Sequence, residues 1–225
     1  MILLVADIHG PVNFHRIRDC EEINNLTEKD YLFVCGDFGI VWGESTNDKM
    51  ILDWIEKKSF STLFIDGNHE NFHLLNNYPV TIWNGGKIHQ IRKNIIHLMR
   101  GQVFNIHNLR IFTFGGGFSL KRVTNTSPIT TWEEEMPNQG EYEEGLKNLK
   151  INNYTVDYII THSAPKKWIR EIGDAPNEYE MELNDYLNSI ESKTVYRHWY
   201  FGHFHKDIKS DKYTVLYENL IRLES

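Results

Sequence analysis

The segment MILLVADIHG, residues 1–10, joins an apolar run to an aspartate, a histidine and a glycine. A short apolar run that ends at a glycine turn is typical of a buried β-strand. Asp7 and His9 either close this strand at the surface or belong to a functional site. The rest of the chain decides between these interpretations, because the same arrangement returns four times.

Four further apolar runs end in polar clusters of this kind. YLFVC precedes Gly36-Asp37, STLFID precedes Gly67-Asn68-His69-Glu70, VDYII precedes Thr161-His162-Ser163, and VYRHWYF precedes Gly202-His203-Phe204-His205. Helix-like stretches such as NDKMILDWIEKK, residues 47–58, separate the early strands, and this alternation predicts an α/β fold with parallel pairing. Ligands bind outside the carboxyl ends of such strands. We therefore expect the five clusters to meet at one edge.

The middle of the chain predicts a change of pairing. From KIHQIRKNIIHLMRG, residues 87–101, to LRIFTFGGG, residues 109–117, the strands shorten and helical periodicity disappears, as in hairpins of a mixed or antiparallel sheet. We expect one domain over residues 1–225. The segment 118–138, FSLKRVTNTSPITTWEEEMPN, lacks a clear period and is either a substrate-side insert or a surface excursion.

Composition limits the partners. The chain has 225 residues, a net charge of −7 and no Lys/Arg stripe, so long nucleic acid is not expected as a partner. A small anionic substrate stays possible, because a bound metal would dominate the local field. Cys20 and Cys35 suggest a reducing compartment. The apolar start is too short for a membrane span. We expect a cytoplasmic protein without a membrane partner.

The polar clusters hold seven oxygen or nitrogen donors and no thiolate: Asp7, His9, Asp37, Asn68, His162, His203 and His205. One tetrahedral zinc ion uses four ligands, so this set suits two divalent ions, with Asp37 as a bridge. Four imidazoles favour manganese over magnesium, with iron, zinc, nickel or cobalt as alternatives. Two such ions can clamp the attacking and leaving oxygens of a phosphoryl displacement.

Taken in order, the motifs D-x-H, GD, GNHE, H and GHxH resemble those of the calcineurin-like metallophosphoesterase superfamily, in particular its small bacterial or phage-type members. The resemblance spans nearly the whole chain and implies an α/β fold: a four-layer, two-sheet β-sandwich of mixed sheets flanked by helices. It implies two metal positions, one formed by Asp7, His9, Asp37 and His205 and the other by Asp37, Asn68, His162 and His203. It also implies that His69 binds no metal and acts on the phosphate as an acid or charge stabiliser.

The resemblance has one departure. After Gly36-Asp37 the chain reads FGIVWG, whereas the protein serine/threonine phosphatase branch continues with an Asp-Arg-Gly pattern. The ligand aspartate is intact, but the substrate arginine of that branch is absent. We therefore do not expect protein phosphatase activity.

The favoured function is a dinuclear metal-dependent phosphoesterase, in which a metal-bound hydroxide attacks a phosphomonoester or phosphodiester. We expect a small phosphorylated substrate, with nucleotides among the candidates. The alternatives are a nuclease or nucleotide phosphodiesterase acting on short oligonucleotides, and a non-catalytic scaffold. The sequence leaves the oligomeric state open.

The segment 118–138 supplies candidate substrate-binding residues. Lys121 and Arg122 are its only cations, and arginine can grip phosphate oxygens with two hydrogen bonds. We expect one of them to point toward the substrate. Glu133, Glu134 and Glu135 would repel a phosphate, so we expect them to face outward.

Overall fold

The computed structural model describes residues 1–43, 46–119 and 132–223. The strands in these ranges are β1 (Ile2–Val5), β2 (Tyr31–Cys35), β3 (Ser61–Ile65), β4 (Val80–Trp83), β5 (Gly86–Arg92), β6 (Ile95–Leu98), β7 (Gln102–Ile106), β8 (Leu109–Phe114), β9 (Tyr158–Thr161), β10 (His198–Phe201), β11 (Ile208–Lys209), β12 (Tyr213–Val215) and β13 (Ile221–Leu223).

The α-helices in the same ranges are α1 (His15–Arg18), α2 (Glu21–Asn24), α3 (Thr46–Glu56), α4 (Phe72–Leu75), α5 (Gln139–Ile151), α6 (Lys166–Glu171) and α7 (Met181–Lys193). Two 3-10 helices cover Glu133–Glu135 and Glu178–Glu180. Within the described ranges, no helix combines the length and the apolar character that crossing a membrane requires.

The strands form two mixed sheets. The first has the order β13-β1-β2-β3-β6-β5-β4, and its neighbours β1, β2, β3 and β6 run parallel. The second has the order β11-β12-β10-β9-β8-β7, and its neighbours β8, β9, β10 and β12 run parallel. Antiparallel strands complete the outer edges of both sheets. The segments that follow β1, β2 and β3 therefore leave the first sheet at one edge, and those after β9 and β10 leave the second sheet together.

The central strands bury both of their faces. Leu4 of β1 belongs to the core between the sheets, together with Ile111 and Ile160 of the second sheet. The adjacent Leu3 belongs to the core on the opposite face, together with Ile55 of α3. Successive residues of a strand point to opposite faces, so burial on both sides requires the continuous apolar runs that the sequence contains.

The outer face of the second sheet is covered by helices α5, α6 and α7. Trp199 and Phe201 of β10 share one buried cluster with Leu149 of α5, Trp168 of α6 and Leu187 of α7. The rings of Trp168 and Trp199 meet edge-on, with centroids 5.1 Å apart. The layers run helix, sheet, sheet, helix, which confirms the predicted two-sheet sandwich flanked by helices.

Several short elements lack a sequence signal. The edge strand β4 exposes its first three side chains, so it has no alternation between buried and exposed residues. Helix α6 has 6 residues and begins after Pro165, which is too short for a helical period. The segment 14–25 contains two single-turn helices, α1 and α2, which Asp19 and Cys20 separate.

A buried ion-pair cluster fastens the loop after β3 to the segment that begins at residue 132. Nε of Arg100 donates to Oδ2 of Asp66 at 2.8 Å, and Nη2 donates to the backbone carbonyl of Glu134 at 2.7 Å. Nη1 donates to Oε2 of Glu141 at 3.1 Å, and Nε2 of His97 lies 3.2 Å from Oδ1 of Asp66. Burial alone would raise the pKa of Asp66, but Arg100 and His97 hold it below its usual range.

We expect Arg100→Met to lower the free energy of unfolding by about 3–5 kcal/mol, because the buried Asp66 carboxylate loses its charged partner. Urea titration followed by circular dichroism measures this difference. Arg18→Met is the matched control, since the ion pair of Arg18 with Asp19 is exposed and its loss should leave stability unchanged. An Arg100→Met protein as stable as the wild type would contradict the expected role of the cluster.

Candidate functional site

The polar segments after five parallel strands converge where the two sheets meet. Segments after β1, β2 and β3 come from the first sheet, and segments after β9 and β10 come from the second. They bring together all seven donors that the sequence indicates: Asp7, His9, Asp37, Asn68, His162, His203 and His205.

Five of these residues have a left-handed backbone conformation. The φ angles are 54° for Asp7, 52° for His9, 50° for Asp37, 71° for His203 and 49° for His205. Residues with a Cβ rarely adopt this region, which costs on the order of 1–3 kcal/mol for each residue. Such strain persists only where the surrounding structure fixes the backbone, and it is typical of functional sites.

Backbone hydrogen bonds fasten the first two loops to each other. The N–H of Asp7 donates to the carbonyl of Gly36 at 3.2 Å, and the N–H of His9 donates to the carbonyl of Asp37 at 2.8 Å. The pairing of β1 with β2 thus continues past the ends of the strands. As a result, the two aspartates lie side by side.

Glu70 supports the loop that carries Asp37. Its Oε1 accepts a hydrogen bond from the N–H of Phe38 at 2.8 Å, and its Oε2 accepts one from the N–H of Gly39 at 3.2 Å. The side chain is buried, and burial raises the pKa of the carboxyl group. Sequence reasoning alone assigns no role to Glu70, although the residue belongs to the GNHE motif.

Two glycines make room for the donors. Gly36 has a φ of +87°, and a Cβ at this position would strike the imidazole of His162. A Cβ at Gly67 would strike the carboxylate of Asp37. Both positions therefore exclude a side chain, because the donors of neighbouring strands occupy the space.

One half of the site joins two imidazoles and two carboxylates. Nε2 of His9 lies 3.0 Å from Nε2 of His205, which in turn lies 3.7 Å from Oδ1 of Asp7. Nδ1 of His9 lies 3.8 Å from Oδ2 of Asp37. Burial lowers the pKa of His9 to about 4 and also lowers the pKa of His205. A lowered pKa favours the neutral imidazole, which is the form that binds a metal ion.

The other half is built around His162. Its Nε2 lies 3.2 Å from Oδ1 of Asn68 and 3.4 Å from Oδ1 of Asp37. The ring of His203 meets the ring of His162 edge-on, with centroids 4.9 Å apart. Asp37 contacts both halves, which is the position that a bridging ligand requires.

Two hydrogen bonds orient this half of the site. Nδ1 of His162 donates to the backbone carbonyl of Cys35 at 3.0 Å, which leaves Nε2 directed at the other donors. Nδ2 of Asn68 donates to Oγ of Ser119 at 3.0 Å, which turns the amide oxygen toward the site. Sequence reasoning missed both partners, since a backbone carbonyl has no sequence signal and Ser119 lies in the unassigned segment 118–138.

The buried carboxylates and His162 have strongly altered pKa values. Burial raises the pKa of Asp7 to about 7. Burial would also raise the pKa of Asp37, but His162, His69 and His9 hold it below its usual range. For His162, burial alone would lower the pKa, yet Asp37 and Asp7 raise it to about 10. The centre of the site thus stabilises positive charge, which fits a cation.

In the part of the chain that the structure describes, three overlapping groups of side chains could hold a metal ion, and within each group the ligand atoms lie within 4.8 Å of one another: Asp7, His9 and His205; His9, Asp37 and His69; and Asp7, Asp37 and His162. Carboxylate oxygens and imidazole nitrogens suit divalent first-row ions. The donor set therefore fits a divalent metal ion.

His69 lies beside the donors. Its ring meets the ring of His9 edge-on at 5.0 Å, and its backbone N–H donates to Oδ1 of Asp37 at 2.7 Å. Geometry alone places His69 close enough to join one group of potential ligands. Its predicted role as a non-ligand stays a prediction.

A cavity of about 380 Å³ opens beside the donors. Asn68, His69 and His203 form the wall nearest the site, and Phe118 and Phe204 form part of the remaining lining. A pocket of this size, with apolar walls and convergent polar groups, is typical of small-molecule sites.

The segment 118–138 is described only at its two ends. Phe118 and Ser119 line the cavity, whereas the substrate-binding candidates Lys121 and Arg122 lie outside the described residues. Their predicted role therefore stays a prediction.

The expected orientation of the glutamates is correct for two of them and wrong for the third. Glu133 and Glu134 are exposed, but Glu135 is fully buried. The reason is that its carboxylate accepts hydrogen bonds from the N–H groups of Ser119 and Trp132, each at 3.1 Å. Glu135 thus ties together the two described ends of the segment.

Comparison with solved structures finds proteins of low sequence identity. A Staphylococcus aureus protein provisionally named a 5′-nucleotidase, crystallised with alpha-ketoglutarate, is 16% identical with a TM-score of 0.49, covering 96% of this chain and 48% of that one. The phosphopantetheinyl hydrolase of Mycobacterium tuberculosis is 15% identical with a TM-score of 0.46, covering 96% of this chain and 87% of that one. The chain thus spans about half the length of the first protein.

No curated protein matches the sequence. The family model of the calcineurin-like phosphoesterases does match, over residues 1–207, and this range contains every donor of the site. The chain therefore belongs to the calcineurin-like phosphoesterase family.

Proposed function

We propose that this chain hydrolyses phosphoester bonds with two divalent metal ions bound at the seven-donor site. The observation that carries the proposal is the convergence of oxygen and nitrogen donors from both sheets around the buried Asp37. Membership of the calcineurin-like phosphoesterase family supports the same chemistry.

The two metal positions follow the two halves of the site. One ion would be held by Asp7, His9, Asp37 and His205, and the other by Asp37, Asn68, His162 and His203. Manganese is the ion that we propose, because four imidazoles suit a borderline ion better than magnesium; iron, zinc, nickel and cobalt are the alternatives. Such ions would activate water and neutralise the charge that develops on the phosphoryl oxygens.

His69 is the proposed general acid. It lines the cavity next to Asn68, and its backbone is fixed by the hydrogen bond to Asp37. From this position its imidazole would donate a proton to the leaving oxygen as the bond to phosphorus breaks. Its exclusion from the metal coordination is part of the proposal.

The cavity beside the donors is the proposed site for the organic group of the substrate. Phe118 stacks on Tyr179 with ring centroids 5.0 Å apart, which offers a flat apolar wall, and Asn177 adds polar atoms. A small phosphomonoester or phosphodiester, such as a nucleotide, fits this combination. A single domain over residues 1–225 and a cytoplasmic location stay predictions from the sequence.

We expect the protein, stripped of metal and reloaded, to bind close to two manganese ions per chain, since the seven donors exceed what one ion needs. Isothermal titration calorimetry gives the stoichiometry, and elemental analysis of the dialysed protein checks it. Saturation at one ion would contradict the dinuclear proposal.

We expect Asp37→Asn to weaken the binding of both ions, whereas His9→Ala should weaken mainly one, because Asp37 belongs to both proposed metal positions and His9 to one. Calorimetry of the two variants measures the separate affinities. Asp53→Asn, an exposed change on α3, is the control for losing one negative charge. Full metal content and turnover in Asp37→Asn would mean that Asp37 is not the bridge.

We expect His69→Ala to lower kcat by roughly 10²–10⁴ with little change in metal content. The loss should be smaller for nitrophenyl esters than for alkyl esters, because nitrophenolate leaves without protonation. Assays of a monoester and a diester of each alcohol also establish which ester class is hydrolysed. His15→Ala, an exposed histidine of α1, serves as the control. A His69→Ala protein that loses an ion would identify His69 as a ligand.

A further inference from the structure

We infer that Glu180 is a positioning residue for His203, which it orients so that Nδ1 of the imidazole faces the metal site. The inference rests on the proposed function, because His203 is a proposed metal ligand. Glu180 lies far from the motifs of the family in the sequence, at the end of the 3-10 helix Glu178–Glu180.

The carboxylate of Glu180 faces one nitrogen of the His203 ring. Nε2 of His203 lies 3.5 Å from Oε2 of Glu180, and the Glu180 side chain is only 3% exposed. A carboxylate accepts hydrogen bonds and cannot donate them, so it favours the tautomer with the proton on Nε2. The lone pair of Nδ1 is then free for a metal ion.

The backbone of His203 is fixed from the opposite side. Its N–H donates to both carboxylate oxygens of Asp7, at 3.2 Å and 3.1 Å, and its φ is 71°. Asp7 thus fixes the backbone position of His203, and Glu180 fixes the orientation of its imidazole ring. Together they direct the imidazole toward His162.

Helix stability does not explain the direction of the Glu180 side chain. Glu180 occupies the N-cap of α7, but its side chain makes no capping hydrogen bond. Its second oxygen, Oε1, is buried and has no hydrogen-bond partner among the described residues. A buried carboxylate would normally satisfy both oxygens. Among the described residues, the ion-pair contact of the Glu180 carboxylate is with His203.

A carboxylate behind a metal-binding histidine is expected to strengthen metal binding. It holds the ring in one orientation and raises the basicity of the nitrogen that binds the metal, and its removal commonly weakens metal affinity 10–100-fold. The pattern requires a buried carboxylate on the outer nitrogen of the imidazole, which is the arrangement of Glu180 and His203.

The first test is calorimetric titration of the metal-free protein with manganese, without substrate. We expect Glu180→Gln to weaken one of the two ions 10–100-fold and to leave the other within about threefold. Glu178→Gln is the matched control, because it removes one exposed carboxylate from the same 3-10 helix. Wild-type affinity for both ions in Glu180→Gln would overturn the inference.

The second test needs no metal, so its result is independent of the dinuclear proposal. Long-range proton–nitrogen correlation spectra of the metal-free protein report which ring nitrogen of His203 carries the proton. We expect Nε2 in the wild type and in Glu178→Gln, and a mixture of tautomers in Glu180→Leu. An unchanged tautomer in a folded Glu180→Leu protein would overturn the inference.

The two tests separate this inference from the proposed function. A wild-type protein that binds only one ion, with a tautomer that responds to Glu180→Leu, would refute the dinuclear proposal and support the positioning role. If the wild type binds two ions and Glu180→Gln binds them with the same affinities, the dinuclear proposal is supported and the positioning role of Glu180 is overturned. If Glu180→Leu fails to fold, Glu180→Gln decides the matter by calorimetry.

Discussion

The structure depends on keeping two carboxylates, Asp7 and Asp37, buried side by side between the sheets. Their side chains are at most 2% exposed, and removing ionised carboxylates from water is costly unless cations and hydrogen-bond donors replace the solvent. The fold supplies donors through the backbone N–H groups of His203 and His69, and the proposed metal ions would supply the positive charge. The left-handed backbone at five of the donors is the conformational cost of this arrangement, and the well-packed parallel strands offset it.

The local part of this arrangement could be predicted from the sequence. Each donor follows a buried strand, and a continuous apolar run that ends in a polar cluster is visible without any knowledge of the fold. The glycines that precede Asp37 and Asn68 lie where segments of the same chain approach each other closely, because a Cβ at Gly36 or Gly67 would strike a donor. Parallel pairing then brings the strand ends together, because all carboxyl ends of a parallel sheet lie at one edge.

The supporting contacts could not be predicted, because they join residues that are far apart in the sequence. Ser119 contacts Asn68 across 51 positions, and the carbonyl of Cys35 contacts His162 across 127 positions. Neither contact leaves a periodic pattern. The prediction that Glu135 faces outward was wrong for a related reason. An acidic run favours a solvated surface, and the backbone N–H groups that donate hydrogen bonds to the Glu135 carboxylate are brought to it by the tertiary structure.

The order of strands has a consequence for how the protein matures. The last strand, β13, pairs with the first, β1, and β10 lies inside the second sheet between β9 and β12. A chain emerging from the ribosome without these late strands has an unpaired edge on β1 and lacks His203 and His205. Each of the two proposed metal positions therefore stays one ligand short until β10 has inserted between β9 and β12.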